Sequence, residues 1–330
     1  MKIRNGLCLF EWAVLAYVVF TLVLIAIEGD RLVNPMPMIV GRVLIITGTI
    51  VLWRLYSWRP GKMTMALRVL FQLCLLGWWY PDTYELNRAF LNLDHVFAAV
   101  EQSLFGCQPA LLFSQNVTSP VVSELLCLGY FSYYPMIAAV SLYYFFLRYR
   151  RFTYAAFIIL GAFFMFYITF IFVPVAGPQY YYQAVGVDQI AQGVFPDMGH
   201  YFLNHQESLP IPGADGGLFH SLVQQAHAAG ERPTAAFPSS HVGIAVVLLW
   251  LACERRHRSR HVMLSSLASR GEERRSWWLI VPLAVLSTLM FFATFYIQAH
   301  YAIDAIAGLF AGTIIYFMLR WVWRIFKVKA

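Results

Sequence analysis

The sequence predicts an all-α protein, a multi-pass transmembrane helical bundle, and three observations support this prediction. The 330 residues are 60% hydrophobic and only 12% charged, about half the charged fraction of a soluble protein. The apolar residues form runs that approach the roughly 20 residues needed to cross a bilayer. The charged residues lie in short clusters between these runs. A net charge of +7 distributed in this way is typical of membrane topology and does not indicate nucleic-acid binding.

Eight apolar runs are candidate membrane helices. The first follows a basic N-terminus and ends without a small-x-small cleavage site, so we interpret it as a retained anchor. The first two runs are expected to form a hairpin within residues 1–63, and the other six a catalytic core within 64–330. Arg42 and Arg68 lie inside or beside runs and are expected to extend to the membrane interface. The predicted helices cover 9–27, 38–54, 64–80, 121–147, 153–173, 239–253, 277–297 and 301–323.

The distribution of lysine and arginine predicts which way the helices face. These residues gather at both termini and in alternate loops, most densely at 254–276. By the positive-inside rule both termini are cytoplasmic, and the outer loops are 81–120 and 174–238. Because the sequence has no organelle-targeting feature, we expect a bacterial inner membrane with the outer loops in the periplasm. The spacing of residues 91–101 predicts a short helix on the membrane surface.

Polar residues lie at the predicted outer ends of two apolar helices. Pro238, Ser239 and Ser240 open the helix that carries His241. A helix N-terminus offers free N–H groups and a partial positive charge, which suits phosphate. We therefore predict that Ser239, Ser240 and the guanidinium of Arg232 bind the phosphate of a substrate.

The second polar segment contains His300 and Asp304, four residues apart. On a helix this spacing places both side chains on one face, where a carboxylate can fix the tautomer of an imidazole. An acid within an apolar run is energetically costly and is therefore a functional candidate. Since both segments are predicted at the outer face, we expect His300, His241 and Asp304 to form one catalytic site. The remaining loop histidines match no standard ligand spacing, so neither a metal nor another cofactor is expected.

Together these segments resemble the type 2 phosphatidic acid phosphatase superfamily of membrane-embedded lipid phosphatases and phosphotransferases, over about residues 64–323. The middle motif of that family, Pro-Ser-Gly-His, matches residues 238–241 with serine in place of glycine. His300 and Asp304 match the end of its last motif, although Thr294 stands where that motif has arginine.

The first motif of the family has two candidate counterparts. Arg232-Pro233 matches the end of that motif, but Gln225 stands at the lysine position and the spacing to His241 is short. The other candidate is the segment 174–180, in which Gln179 would contact the phosphate. Both alternatives stay open at the level of the sequence.

The missing cations make the sequence more similar to the inositol phosphorylceramide synthase-like branch, whose His-Tyr-x-x-Asp segment also lacks the arginine. That resemblance implies a phospholipid donor, a ceramide-like lipid acceptor and a phosphohistidine at His300. His241 would protonate the departing diacylglycerol and then deprotonate the acceptor hydroxyl. The alternative is a lipid phosphate phosphatase with water as acceptor. A proton-relaying transporter is disfavoured, because the polar residues gather at one face of the membrane and not at its midplane.

Overall fold

The computed structural model describes residues 6–213, 216–254 and 266–328, with side chains described there except at 229, 266–276 and 327–328. Within these ranges the chain is all-α and has no strand, which confirms the predicted helical bundle. Six segments are long and apolar enough to cross a membrane, so the chain is an integral membrane protein. They are Leu9–Arg31, Pro35–Trp58, Lys62–Ala89, Tyr149–Phe172, Trp277–Tyr296 and Ala302–Phe326.

The first four helices follow the prediction except at the third span. They are α1 (Leu9–Glu28), α2 (Pro35–Trp58), α3 (Lys62–Cys74) and α4 (Leu76–Leu86). The predicted helix 64–80 is interrupted at Leu75, where α3 ends and α4 begins, and Pro81 lies inside α4. The helix then continues through Pro81 to Leu86, so the predicted boundary of the outer loop at 81 is wrong.

The next four helices form two bent pairs, α5 (Asp94–Phe105) with α6 (Pro109–Asn116), and α7 (Pro120–Phe131) with α8 (Tyr133–Leu147). The bends are 70° and 48°, and with these pairs the number of candidate spans rises to at most eight. The predicted helix 121–147 is therefore a bent pair. The predicted surface helix at 91–101 is found as α5, but Asp94 and Glu101 are buried while Val96, Val100 and Leu104 are exposed. The polar side of this helix faces the protein and its apolar side faces outward.

Helix α9 (Phe152–Phe172) is the most buried of the candidate spans, and among the helices above it packs against α1, α3, α4 and α8. Three short helices follow it in the predicted outer segment: α10 (Pro178–Val185), α11 (Val187–Ala191) and α12 (Leu218–Gly230). The last three are α13 (Ser240–Cys253), α14 (Ser266–Tyr296) and α15 (Ala302–Val328). With 14 residues, α13 is shorter than the six segments that are long enough to cross a membrane. The side chains of the basic segment predicted at 254–276 lie outside the described ones, apart from Glu254.

Close packing of α13 against α15 depends on two glycines of α15. A Cβ atom at Gly308 would lie 2.4 Å from the carbonyl oxygen of Ser239, and one at Gly312 would lie 2.3 Å from that of Gly243. The Gly-xxx-Gly spacing therefore lets the two backbones touch, as small residues do between membrane helices. This contact brings the N-terminus of α13 beside the N-terminus of α15.

The opposite end of α13 is fixed by the carboxylate of Glu254. It accepts hydrogen bonds from Tyr154 Oη at 2.6 Å, Tyr316 Oη at 2.8 Å and Arg151 Nη1 at 2.6 Å. These three partners belong to the start of α9 and to the C-terminal half of α15. The carboxylate thus joins three helices at the end of the bundle remote from the two histidines.

Two buried ion pairs join the N-terminal helices to α3 and α4. Arg42 donates to both oxygens of Asp82, at 3.1 and 2.6 Å, and Arg68 donates to both oxygens of Glu11. All four side chains are buried, so the prediction that these arginines extend to the interface is wrong. An ion pair in an apolar surrounding needs both partners, because either charge alone is costly there. The division of the chain at residue 63 stays a prediction.

We expect Asp82→Ala to lower the free energy of unfolding by about 3–5 kcal/mol, because the guanidinium of Arg42 then stays buried without its counter-charge. The matched control is Glu28→Ala, which removes the exposed ion pair with Arg31 and should change stability by at most about 1 kcal/mol. Thermal unfolding of the detergent-purified protein measures both effects. Equal shifts for the two variants would contradict the expectation.

Candidate active site

His300 and His241 face each other at the adjoining ends of α13, α14 and α15. The distance from His300 Nε2 to His241 Nδ1 is 3.4 Å. His300 Nδ1 lies 2.7 Å from the carbonyl oxygen of Ala236; since a carbonyl can only accept, Nδ1 carries the proton and Nε2 keeps its lone pair. Burial lowers the pKa of His300 to about 4, against the opposing effect of the Ala236 hydrogen bond. The ring is therefore neutral at neutral pH and Nε2 is a free base.

The imidazole of His241 lies between two tyrosine rings. The ring centroids of Tyr130 and Tyr133 are 4.5 and 4.4 Å from that of His241. Tyr130 lies in the last turn of α7 and Tyr133 begins α8, so the bend between these helices allows both rings to reach one histidine. The sequence analysis did not identify these tyrosines, because nothing distinguishes them from the many other aromatic residues of the apolar runs.

Asp304 lies near His300 in a different arrangement from the predicted one. Helix α15 begins at Ala302, so His300 precedes it, and the prediction of a shared helical face is wrong. Asp304 Oδ2 accepts from the backbone N–H of Tyr301 at 2.8 Å and lies 3.9 Å from His300 Nδ1. The carboxylate therefore holds the backbone turn that carries His300, while the carbonyl of Ala236 binds the imidazole itself.

Two carboxylates of α5 bind the same region of backbone, and the sequence analysis missed their role. Asp94 accepts from the N–H groups of Ala176 and Gly177 at 2.6 and 2.9 Å, and from Tyr301 Oη at 3.0 Å. Glu101 Oε1 accepts from the N–H of Ala302 at 2.6 Å. Asp94 thus ties the loop after α9 to the turn after His300, and Glu101 caps the N-terminus of α15.

A closed ring of hydrogen bonds results from these contacts. The backbone N–H of Ala236 donates to the carbonyl of Val175 at 3.0 Å, and the carbonyl of Ala236 accepts from His300. Tyr301, the next residue, donates to Asp94, whose other bonds return to the loop at 176–177. Three segments distant in the sequence therefore fix the turn that carries His300, and one of them, through Ala236, bonds its imidazole.

Ser239 and Ser240, the two serines predicted to bind phosphate, have different hydrogen-bond partners. Ser239 is fully buried, and its Oγ accepts from the N–H of Val242 at 3.4 Å, so it caps α13. Its own N–H donates to the carbonyl of Asp304 at 3.0 Å, which joins the starts of α13 and α15. Ser240, next to His241, has its hydroxyl in hydrogen-bonding contact with Tyr133.

Gln179 and Arg232 make no hydrogen bond to either of the two histidines. Arg232 Nη1 donates to Gln206 Oε1 at 2.8 Å. Gln179 Nε2 donates to Glu231 Oε1 at 3.1 Å, and the other oxygen of Glu231 is 2.8 Å from His227 Nε2. The structure thus adds Glu231 and His227 to the site. The position of Glu231 next to Arg232-Pro233 was the available signal, and the sequence analysis did not use it.

A protein-family model described as the PAP2 superfamily matches residues 95–269, which is 175 of the 330 residues. The chain belongs to the PAP2 superfamily. Members of this superfamily are phosphatases or phosphotransferases of lipid phosphates. The matched range includes Glu231 and His241 and ends before His300. Membership of the inositol phosphorylceramide synthase-like branch stays a prediction. Neither the curated proteins nor the solved structures gave a match.

In this PAP2 superfamily chain, two positions carry an uncharged residue where the family motifs have a lysine or an arginine. Gln225, at the position of the lysine, is exposed on α12. Thr294, at the position of the arginine, is fully buried. Its hydroxyl donates to the carbonyl of Phe291 at 2.9 Å, and its backbone carbonyl accepts from the N–H of His300 at 3.1 Å. Thr294 therefore serves the backbone of the turn. Within the described part of the chain, no three His, Cys, Asp or Glu side chains come together as a metal site.

We expect Gly177→Ala to reduce activity at least about tenfold, because its Cβ would lie 2.5 Å from the carbonyl oxygen of Ala299, the residue before His300. The control is Gly186→Ala. Both glycines have a left-handed φ, +95° and +100°, but a Cβ at Gly186 meets no atom within 4 Å. Turnover of lipid substrate by the two purified variants is the measurement, and similar activities would contradict the expectation.

Proposed function

We propose that the protein is a membrane phosphotransferase that moves the phosphoryl-headgroup unit of a phospholipid to a ceramide-like lipid through a phosphohistidine at His300. The observation that supports this proposal is the unprotonated Nε2 of His300, held 3.4 Å from Nδ1 of His241. A buried imidazole with a free Nε2 is a nucleophile, and a second imidazole beside it can donate and accept a proton.

In the first step, the lone pair of His300 Nε2 attacks the phosphorus of a phosphodiester. The bond between phosphorus and the diacylglycerol oxygen breaks, and that oxygen takes a proton from His241, which enters this step as the imidazolium. Burial and the neighbouring His300 lower the pKa of His241 to about 3, so His241 takes up this proton together with the anionic substrate. An attacking nitrogen approaches phosphorus to about 3–3.5 Å before reaction. The imidazole of His241 therefore has to turn away from Nε2 as the phosphoryl group enters.

In the second step, the now neutral His241 removes the proton from the hydroxyl of the acceptor lipid. The hydroxyl oxygen attacks phosphorus, the bond from nitrogen to phosphorus breaks, and His300 returns to its neutral form. In this proposal Asp304 is a positioning residue for His300, since it acts on the backbone of the turn. Ser240 and the N-terminus of α13 supply donors to the phosphoryl oxygens, with Ser239 holding that terminus. Arg232 and Gln179 contact the headgroup side.

The small number of cations in the site supports a phosphodiester donor. Glu231 and His227 are the titratable neighbours of both catalytic histidines, and no lysine or arginine of the described chain contacts either one. A phosphomonoester carries about 1.5 to 2 negative charges at neutral pH, whereas a phosphodiester carries one. A site without a cationic cradle therefore suits transfer from a phospholipid better than hydrolysis of a lipid phosphate.

We expect a phospholipid donor labelled at phosphorus to leave an acid-labile label on the wild-type protein when no acceptor lipid is present. His300→Ala should carry no label, because the nucleophilic nitrogen is lost. His205→Ala is the control, since His205 lies exposed in the outer segment, and should be labelled like the wild type. Labelling of His300→Ala would contradict the proposed nucleophile.

Product analysis with and without a ceramide-type alcohol separates transfer from hydrolysis. Transfer predicts that the labelled headgroup appears on the added alcohol and that little is released into water in its absence. Rapid release without any alcohol would instead support a lipid phosphate phosphatase that uses the same two histidines with water as acceptor.

We expect the acid limb of kcat/KM for a phosphodiester donor to lie near pH 4, because the pKa of His300 is lowered to about 4 from about 6.5. The free base attacks, so the nucleophile is available above this pH and is lost as the ring is protonated below it. The unfolded chain takes up this proton first, near pH 6.5, so stability also falls between about pH 6.5 and pH 4. Rates are therefore compared where the protein stays monodisperse, and a limb near 6.5 would contradict the expectation.

A further inference from the structure

Glu231 is an acid that faces the catalytic histidines and takes no part in the two proton transfers described above. Its carboxylate lies between the side chains of His227 and Gln179, with Oε2 at 2.8 Å and Oε1 at 3.1 Å from them. It is also an electrostatic neighbour of His241 and His300. A formal negative charge therefore lies beside the place where a phosphoryl group has to bind.

The position of this charge relative to His300 is fixed through Gln179. The side chain of Gln179 donates to Glu231, and its backbone N–H donates to the carbonyl of Gln298 at 2.8 Å. Gln298 is two residues before His300, in the same turn. On its other side, the backbone N–H of Glu231 donates to the carbonyl of His227 at 3.1 Å. The carboxylate thus cannot move away from the site without breaking several of these contacts.

Glu231 is ionised in this environment. Burial raises the pKa of its carboxyl group, but the facing imidazole of His227, the hydrogen bond from it, and His241 and His300 outweigh this effect. The net shift of the pKa is downward, so the group stays negative at neutral pH. The nearest arginine in sequence, Arg232, bonds to Gln206 and does not contact the carboxylate.

We propose that Glu231 is a specificity-determining residue that excludes doubly charged phosphomonoesters from His300 and so restricts the enzyme to singly charged phosphodiesters. Repulsion between two charges grows with their product, so an additional negative charge on the substrate raises the binding penalty in proportion. A monoester above pH 6 carries that additional charge, since its second pKa is about 6. This inference rests on the proposed function, because it requires phosphoryl binding at His300.

Glu231→Gln tests the inference, because it keeps the size of the side chain and removes its charge. The kcat/KM values of the full-length purified protein are measured at pH 8 for phosphatidic acid, a monoester, and for a phospholipid diester. We expect the monoester-to-diester ratio to rise at least about tenfold in Glu231→Gln. Glu231→Asp keeps the charge and should keep a low ratio. Glu85→Gln, which removes a partly exposed acid paired with Arg88, is the matched control and should leave the ratio unchanged.

A second variant adds charge at the same place. Gln179→Glu places another carboxylate beside Glu231 and should lower the monoester-to-diester ratio several-fold, a test that does not depend on the folding of Glu231→Gln. An unchanged ratio in either variant, with both rates reduced together, would show that Glu231 only maintains structure and would overturn the inference. Failure of the proposed function gives a different result, since His300→Ala would then retain the turnover of the diester.

Discussion

The carboxylate of Asp94 is the contact on which the geometry of the site depends, because it joins the loop after α9 to the turn after His300. Its partners are the N–H groups of Ala176 and Gly177 and the hydroxyl of Tyr301. The same loop holds Ala236, and Ala236 holds the imidazole of His300. Without this acid, the N–H groups of Ala176 and Gly177 would lie unpaired beside the histidines, and unpaired backbone groups are costly away from water.

Burial of Asp94, Glu101 and Asp304 is possible because each of them binds backbone N–H groups of a loop or a helix start. Glu101 and Asp304 bind the first N–H groups at the start of α15, where a helix leaves donors unpaired and its dipole favours negative charge. The same acids therefore satisfy the helix end and orient the residue that precedes it. The same hydrogen bonds therefore stabilise this end of the bundle and position His300, the proposed nucleophile.

The sequence was informative where a single helix determines the outcome. Apolar runs predicted the bundle, and the Pro-Ser-Ser-His pattern predicted the capped start of α13 at Ser239. The break at Leu75 and the true start of α15 at Ala302 were not predictable from periodicity, because local turns of one or two residues decide them. Prediction failed for Asp94 and Glu101, whose helix resembles a surface helix in sequence while its partners lie about 80 and 200 residues away. Long-range pairing of this kind leaves no local pattern.

The two ends of α13 are both anchored, and this has a mechanical consequence. Ser239 is bonded to the carbonyl of Asp304 at one end, and Glu254 gathers two phenols and a guanidinium at the other. The helix that carries His241 can therefore neither slide nor tilt independently of α9 and α15. In the proposed reaction, a lipid headgroup reaches the histidines through movement of the short helices that pack on this frame, above all α12, and through rotation of one imidazole. Helices α9, α13 and α15 therefore form the rigid part of the protein, and the parts that can adapt are those packed against them.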